Sequence, residues 1–373
     1  MENTDSRSAA SPTEGRTDPS ALQFRVEAVA EEHLARVARF SERYWSRPRT
    51  DAYYRWRYIE SLPFSTTFAA VTDDECLGLV CALRKQFLID GVPVPCLEIF
   101  DWHSLPGLKG SGVGIRVMRA MMRAGARLIG VGGTADVLRA LPAMGWQTIG
   151  HATTFELPLA GSFLEKGLRD RVPFRIPGER LALDAVTANW FRPRPKRFVG
   201  QAIPVAQPGE EVAALYRGES IYNFVQVPDL PLLRWMTAGY AGAGGYRFWY
   251  FTVAGRLRGW VLTRVYETEE GREAAIVEVF AVAPDVPLYA WMVSEAAADL
   301  AGSRPRVIRA RATCAILQAA YRANRFRPGS QVPVHTFPKM LEKDRRLHLT
   351  LNHSDAPFRA YPVPGAATDF LIG

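Results

Sequence analysis

Cysteine is scarce in this sequence. Four occur, Cys76, Cys81, Cys96 and Cys314, and no two stand in a CxxC spacing. That excludes a disulfide-built scaffold and argues against a structural zinc site, so free thiols, a cytoplasmic setting and no metal are expected. Lysine is scarcer than the charge suggests. The net charge is +8, yet only six of the 46 basic side chains are lysine. An arginine bias of this kind fits a GC-rich genome better than phosphate reading, and nucleic acid is not an expected partner. The one short basic block, Arg192-Pro193-Arg194-Pro195-Lys196-Arg197, is stiffened by proline and reads as a solvated linker. No apolar run approaches the ~18 residues of a membrane span. The opening Met1-Glu2-Asn3-Thr4-Asp5 has no basic or apolar region of a secretory leader.

What is present fits a globular protein of more than one domain. Apolar residues make up 48% and charged residues 23% of 373, enough for two cores. Residues 1–22 are polar and small, and a disordered tail is expected there. A first domain is expected over 23–160, a Pro-rich linker over 161–202 and a second domain over 203–373. The first opens with apolar residues at helical spacing from Glu27 to Trp45, then a short aromatic helix from Asp51 to Tyr58. Strands follow at Thr67–Val71 and Cys76–Leu83. Asp90-Gly91 is a hairpin signal before a strand at Val94–Trp102. A Gly-rich loop, Pro106 to Gly114, runs into an amphipathic helix, Ile115 to Ala126. A strand at Arg127–Val131, a helix at Ala135–Met144 and a strand at Thr153–Leu157 complete the unit.

The pattern then starts again. Trp56 recurs as Trp235, Glu98-Ile99-Phe100 as Glu278-Val279-Phe280, and Gly145-Trp146 as Arg325-Phe326, at separations of 179, 180 and 180 residues. Three matches in one order argue for a duplicated domain.

The strongest chemical signal is Lys109-Gly110-Ser111-Gly112-Val113-Gly114 between a strand and a helix. Glycines there permit positive φ and close approach of a ligand to the backbone. The N–H groups of the loop and first helical turn form an anion site. The loop lacks the ending of a nucleotide triphosphate loop, and antiparallel strands before it disfavour a dinucleotide fold. Lys109, Gly112 and Gly114 stand at the spacing of the pyrophosphate loop of the GNAT acyltransferases: a basic residue, two others, glycine, one other, glycine. With Pro106 three residues upstream and the same order of flanking elements, residues 24–160 resemble that superfamily. The repeat extends a weaker resemblance over 205–340.

The resemblance implies an α/β fold of the α+β type: two GNAT-like domains, each a mixed, mostly antiparallel sheet flanked by helices. It implies acyl transfer from acetyl-CoA, or another acyl-CoA, to the amine of a small-molecule or amino-sugar-like acceptor. Ser104, Lys109, Gly110, Ser111, Gly112, Val113, Gly114 and Thr134 would hold the co-substrate. The second copy has Pro284-Asp285-Val286-Pro287 where the loop would fall, so one acyl-CoA site is expected. Glu98, on the strand before the loop, stands where the superfamily often carries its base, and burial beside Leu97 and Ile99 would raise its pKa. His103 is the second candidate base. Strand alternation places it with Asp101, on the face opposite Glu98. Leu141 occupies the position of the usual acid tyrosine, whereas Tyr321 matches it in the second copy and reads as core. Tyr53 and Tyr54 are candidate acceptor contacts. Two other readings remain open: a catalytically silent tandem module, and an aminoacyl-tRNA-dependent transferase of the Fem type, for which the phosphate loop has no use. Sequence leaves the oligomeric state undefined.

Overall fold

The computed structural model describes residues 23–45, 49–125, 127–159, 193–216, 221–240, 245–268, 271–342 and 345–353. The expected tail 1–22 and most of the expected linker lie outside them. The strands are β1 (Arg25–Ala28), β2 (Ser65–Val71), β3 (Cys76–Ile89), β4 (Val92–Ser104), β5 (Leu128–Val131), β6 (Gln147–Pro158), β7 (Gln201–Val205), β8 (Phe224–Val227), β9 (Tyr246–Val253), β10 (Arg256–Thr268), β11 (Gly271–Ala281), β12 (Val307–Ala312), β13 (Arg327–Phe337) and β14 (Leu347–His348). The helices are α1 (Leu34–Trp45), α2 (Asp51–Arg55), α3 (Val113–Ala124), α4 (Ala135–Ala143), α5 (Glu210–Ala214), α6 (Leu230–Ala238), α7 (Val286–Gly302) and α8 (Ala315–Ala323).

The duplication is visible in the element starts. β3, α4 and β6 recur 180 residues later as β10, α8 and β13. The hairpin signals also hold: Asp90-Gly91 and Ala254-Gly255 all have positive φ, as a tight two-residue turn demands. Some boundaries differ from expectation. The N-terminal helical pattern begins as β1 and a 3-10 turn at Glu31–His33, and the helix proper starts at Leu34. The aromatic helix passes from α2 into a π-helical turn, Trp56–Glu60. The final strand of the first copy starts six residues earlier than its apolar pattern suggests, at Gln147.

The two copies share one sheet. Its order is β1-β2-β3-β4-β5-β13-β6-β12-β11-β10-β9-β7, with β8 and β14 pairing off this path. Substituting repeat mates makes the order a palindrome in which the last strands have changed places. β13 of the second copy pairs antiparallel with β5 of the first, Phe337 opposite Leu128. β6 of the first pairs antiparallel with β12 of the second, Val307 opposite Pro158. Repeat mates also meet directly: the Trp56 and Trp235 rings stack at 4.9 Å and 19°. Among the described residues no helix is long and apolar enough to cross a membrane.

Phe155, on the exchanged strand β6, is buried and packs 5.1 Å from the ring of Tyr321 on α8 of the other copy. Phe155→Ala should cost about 3–5 kcal/mol. Because the strand belongs to both cores, denaturant unfolding followed by circular dichroism and tryptophan fluorescence should stay one transition. Two separated transitions would show that the copies unfold independently.

Candidate active site

The Gly-rich loop lies between β4 and α3. A 3-10 turn at Pro106–Leu108 leads to Gly110 at φ +86° and to Gly112 at φ +80°, which is the N-cap of α3. Added side chains at Gly110 and Gly112 would meet no protein atom within 4 Å. Both glycines therefore serve backbone conformation, and the space above them is open. Gly78 has the opposite role. A Cβ there would fall 2.8 Å from Val113 Cγ1 and 2.9 Å from the His103 carbonyl oxygen, so only glycine lets the start of α3 settle on β3. The first-turn N–H groups of α3 lack intrahelical acceptors and share the loop's open side. Lys109 Nζ is 2.7 Å from Asp136 Oδ2 on α4, which also pairs with Arg139. Hydrogen bonds from these two cations hold the Asp136 carboxyl below its ordinary pKa. Thr134 caps α4, its hydroxyl accepting from the Val137 N–H. Ser104 lies at the end of β4, facing the first turn of α3 near Gly114.

β4 and β5 part beside the loop. β4 and β5 pair in parallel only over Leu97–Ile99, opposite Leu128–Gly130, although β4 continues to Ser104. Beyond Ile99 the β5-facing edge of β4 has no strand partner among the described residues, so its peptide groups are placed to meet an extended ligand.

The face of β4 differs from the alternation expected of it. The β3–β4 register shifts by one residue, with Cys81 opposite Asp101 but Ala82 opposite Ile99, which leaves Phe100 as a bulge. The bulge reverses the alternation. Glu98, Asp101 and His103 sit opposite Leu83, Cys81 and Leu79, so all three share one face.

Asp101 and His103 form one group with helical residues. Arg57 pairs with the buried Asp101 carboxylate and donates to the Tyr53 hydroxyl at 2.7 Å. His103 Nε2 is 3.4 Å from the other Asp101 oxygen, and its ring packs 4.4 Å from Tyr44. Burial alone would raise the Asp101 pKa, but Arg57 and His103 outweigh it and lower it. His103 is partly open to solvent at the loop end of the strand. Tyr53 and Tyr54 are both buried, so neither presents itself at the surface. Tyr53 joins the network through Arg57.

Glu98 forms a second group. It is 1% exposed, with Lys85 Nζ 3.1 Å and His353 Nδ1 2.8 Å from its Oε2. Burial opposes its charge, but Lys85 and His353 prevail and its pKa falls. The sequence suggested the reverse. What it missed is Lys85, two strand positions from Leu83, and above all His353, which is 255 residues away. Nothing local in the sequence marks either partner.

In the second copy tyrosines meet the end of the corresponding strand, and a cavity of about 460 Å³ lined by Arg256, Arg258, Ala283, Asp285 and Leu288 lies at the start of α7. Ala281 is the repeat mate of Asp101. Its backbone N–H donates to the Tyr289 hydroxyl at 3.0 Å, and Tyr289 lies 2.8 Å from the Tyr222 hydroxyl. An aspartate, Asp285, stands at the N-cap of α7, where the first copy has Gly112.

No family model matches the chain, and no curated protein matches it in sequence. Solved structures do match in shape. The chain is similar to a GCN5-related N-acetyltransferase from Anabaena variabilis, with a TM-score of 0.57 at 11% identity over 84% of this chain and 72% of that one. It is also similar to N-myristoyltransferase from Saccharomyces cerevisiae with bound myristoyl-CoA, with a TM-score of 0.56 at 12% identity over 87% and 85%. The chain has the GNAT fold. At this identity the likeness carries the fold alone.

Glu98→Gln tests the buried group. It would leave Lys85 without its carboxylate and should cost about 3–5 kcal/mol near neutral pH. A carboxylate with a lowered folded pKa adds stability above its unfolded value and loses it as pH falls through the folded value. Thermal unfolding between about pH 3 and pH 7 should therefore show a shallower acid limb in Glu98→Gln than in wild type. Parallel limbs would remove Glu98 from the acid response.

Proposed function

We propose that this protein is an acyl-CoA-dependent N-acyltransferase, with an acetyl donor and a small-molecule amine acceptor, working from its first copy. The observation that carries the reading is the contrast between copies. Parallel strands part early in both copies, but the first has an open Gly-rich loop at its helix start, whereas the second has Asp285 at the N-cap and the Tyr289 hydroxyl on the Ala281 N–H. The first set fits the diphosphate and extended arm of an acyl-CoA.

In this reading the backbone N–H groups of Gly110, Gly112 and Gly114 hold the diphosphate, those of Ser111 and Val113 being bonded to the Leu108 carbonyl and the Ser111 hydroxyl, and Lys109 adds positive charge at the rim. Ser104 and Thr134 border the arm. The β5-facing N–H groups of β4 beyond Ile99 polarise the thioester carbonyl. His103 takes the proton of the attacking amine, with Asp101 holding its ring and Arg57 holding Asp101. The amine nitrogen bonds to the carbonyl carbon, and the carbon–sulfur bond breaks. Buried Leu141 offers no proton to the departing sulfur, so His103 returns the one it took. Glu98, ionised and enclosed, supports the strand from within and is assigned no proton transfer. Leu141 also favours a second reading, ligand binding without turnover.

Acetyl-CoA calorimetry tests the loop. Wild type should bind at one site per chain. Gly112→Asp should bind more weakly than about 1 mM while keeping its fold, because aspartate tolerates positive φ but sets a carboxylate against the diphosphate. Equal affinity in the two proteins would remove the loop from the site. His103→Gln tests the base: kcat in a thiol-release assay with a panel of amines should fall about 100-fold, with acetyl-CoA affinity unchanged. Binding without thiol release in wild type would select the silent reading.

A further inference from the structure

A cluster of chemistry-bearing side chains lies outside the first-copy site, where β12 runs into α8. Cys314 is the N-cap of α8 and the repeat mate of Thr134. Its Sγ is 3.8 Å from Nδ1 of His348. The other ring nitrogen, Nε2, is 3.3 Å from Glu278 Oε1. Glu278 also accepts from the Val279 N–H at 3.1 Å and from the Thr350 hydroxyl at 2.8 Å. The imidazole is fixed between the Tyr222 ring at 4.6 Å and the Phe280 ring at 5.6 Å. A thiol, a base and an orienting carboxylate therefore stand in line. Cys314 and Glu278 use opposite ring nitrogens, so this arrangement is a relay and not a chelate.

The electrostatics suit a relay. Burial alone would lower the His348 pKa, but its hydrogen bonds to Cys314 and Glu278 raise it to about 9. Burial would raise Glu278, and the bond to His348 leads the interactions that lower it instead. The other three cysteines are placed differently. Burial pushes Cys76 and Cys96 up to about 12 and also raises Cys81. Cys76 and Cys96 donate only to the backbone carbonyls of Gly78 and Val94. Cys314 keeps 8% exposure. Beside it, the fully buried Tyr321 hydroxyl has no hydrogen-bond partner among the described residues, and it lies close enough to feel charge on Cys314.

We propose that Cys314 is a second nucleophilic centre, a thiol that accepts an acyl group from a small thioester, with His348 holding its proton and Glu278 positioning His348. The thiol proton rests on His348 Nδ1, in keeping with its raised pKa, and Sγ bonds to the carbonyl carbon as a thiolate. The donor's carbon–sulfur bond breaks, and the departing thiolate receives the proton from His348. The product is an S-acyl cysteine and a free thiol, with no change of oxidation state. Only the class of donor is borrowed from the acyl-CoA reading.

The test uses the full chain and S-acetyl-N-acetylcysteamine, a thioester without a nucleotide, followed by peptide mass mapping. One acetyl group on Cys314, none on Cys76, Cys81 or Cys96, and a matching release of thiol are expected. His348→Gln should slow acetylation about 100-fold, and Glu278→Gln should slow it less, with thermal unfolding confirming that each variant folds. If neither variant folds, wild type decides alone. Iodoacetamide should label Cys314 about tenfold or more faster than Cys96, and prior acetylation should block that labelling. No acetyl group on Cys314, or labelling spread evenly over the four cysteines, overturns the proposal. Gly112→Asp separates the two readings: it should lose acetyl-CoA binding yet keep acetylation of Cys314 by the small thioester.

Discussion

The exchange of β6 and β13 is the constraint on which the rest depends. Each copy completes its sheet with the other's last strand, through the pairs β5–β13 and β6–β12. Neither copy can leave without stripping a ladder of backbone hydrogen bonds and exposing two sheet edges. The exchange also fixes the axis on which repeat mates meet. Trp56 stacks on Trp235 there, and the cores on either side close over it. Duplication thus gives a single object with a pseudo-twofold axis, whose two copies can diverge without coming apart.

The tail reinforces this centre by charge. His348 bonds Glu278 and His353 bonds Glu98, so one six-residue stretch touches both repeat-related glutamates. Buried carboxylates are costly, and removing a partner leaves that cost unmet. A slip of the tail by one residue would move both histidines away and strand two ionised groups. The pairs therefore fix the register of the tail more than they add net stability. They also account for the retention of a glutamate in the copy that has no loop. Its partner is the tail, so its presence there carries no implication for acyl transfer.

Much of the fold was legible because it is written locally. The repeat shows in Trp56, Glu98 and Gly145-Trp146 and their echoes, the hairpins in Asp90-Gly91 and Ala254-Gly255, and the loop in three glycines. Two features of the site were not legible. The bulge at Phe100 adds one residue to β4, and a period-two pattern cannot register a single insertion; so Asp101 and His103 were placed on the wrong face relative to Glu98. The partners of the buried acids lie far along the chain, His353 at 255 residues from Glu98 and Arg57 at 44 from Asp101. Burial alone predicts a raised glutamate pKa, and only the fold supplies the cations that reverse it.

The two copies show how one scaffold carries two different strand ends. In the first, glycines at positive φ shape the loop before the helix, and the bulge at Phe100 turns Asp101 and His103 to the face of Glu98. In the second, Tyr289 occupies the backbone N–H of Ala281, and Tyr222 closes over it. The substitution is self-consistent. A strand end left open with no ligand would leave polar backbone unsatisfied in a buried setting, at about 1–3 kcal/mol per group. A hydroxyl placed at Ala281 removes that cost. Tyr222 also meets the Cys314 sulfur and the His348 ring, so the tyrosines at this strand end help hold a thiol, an imidazole and a carboxylate in line.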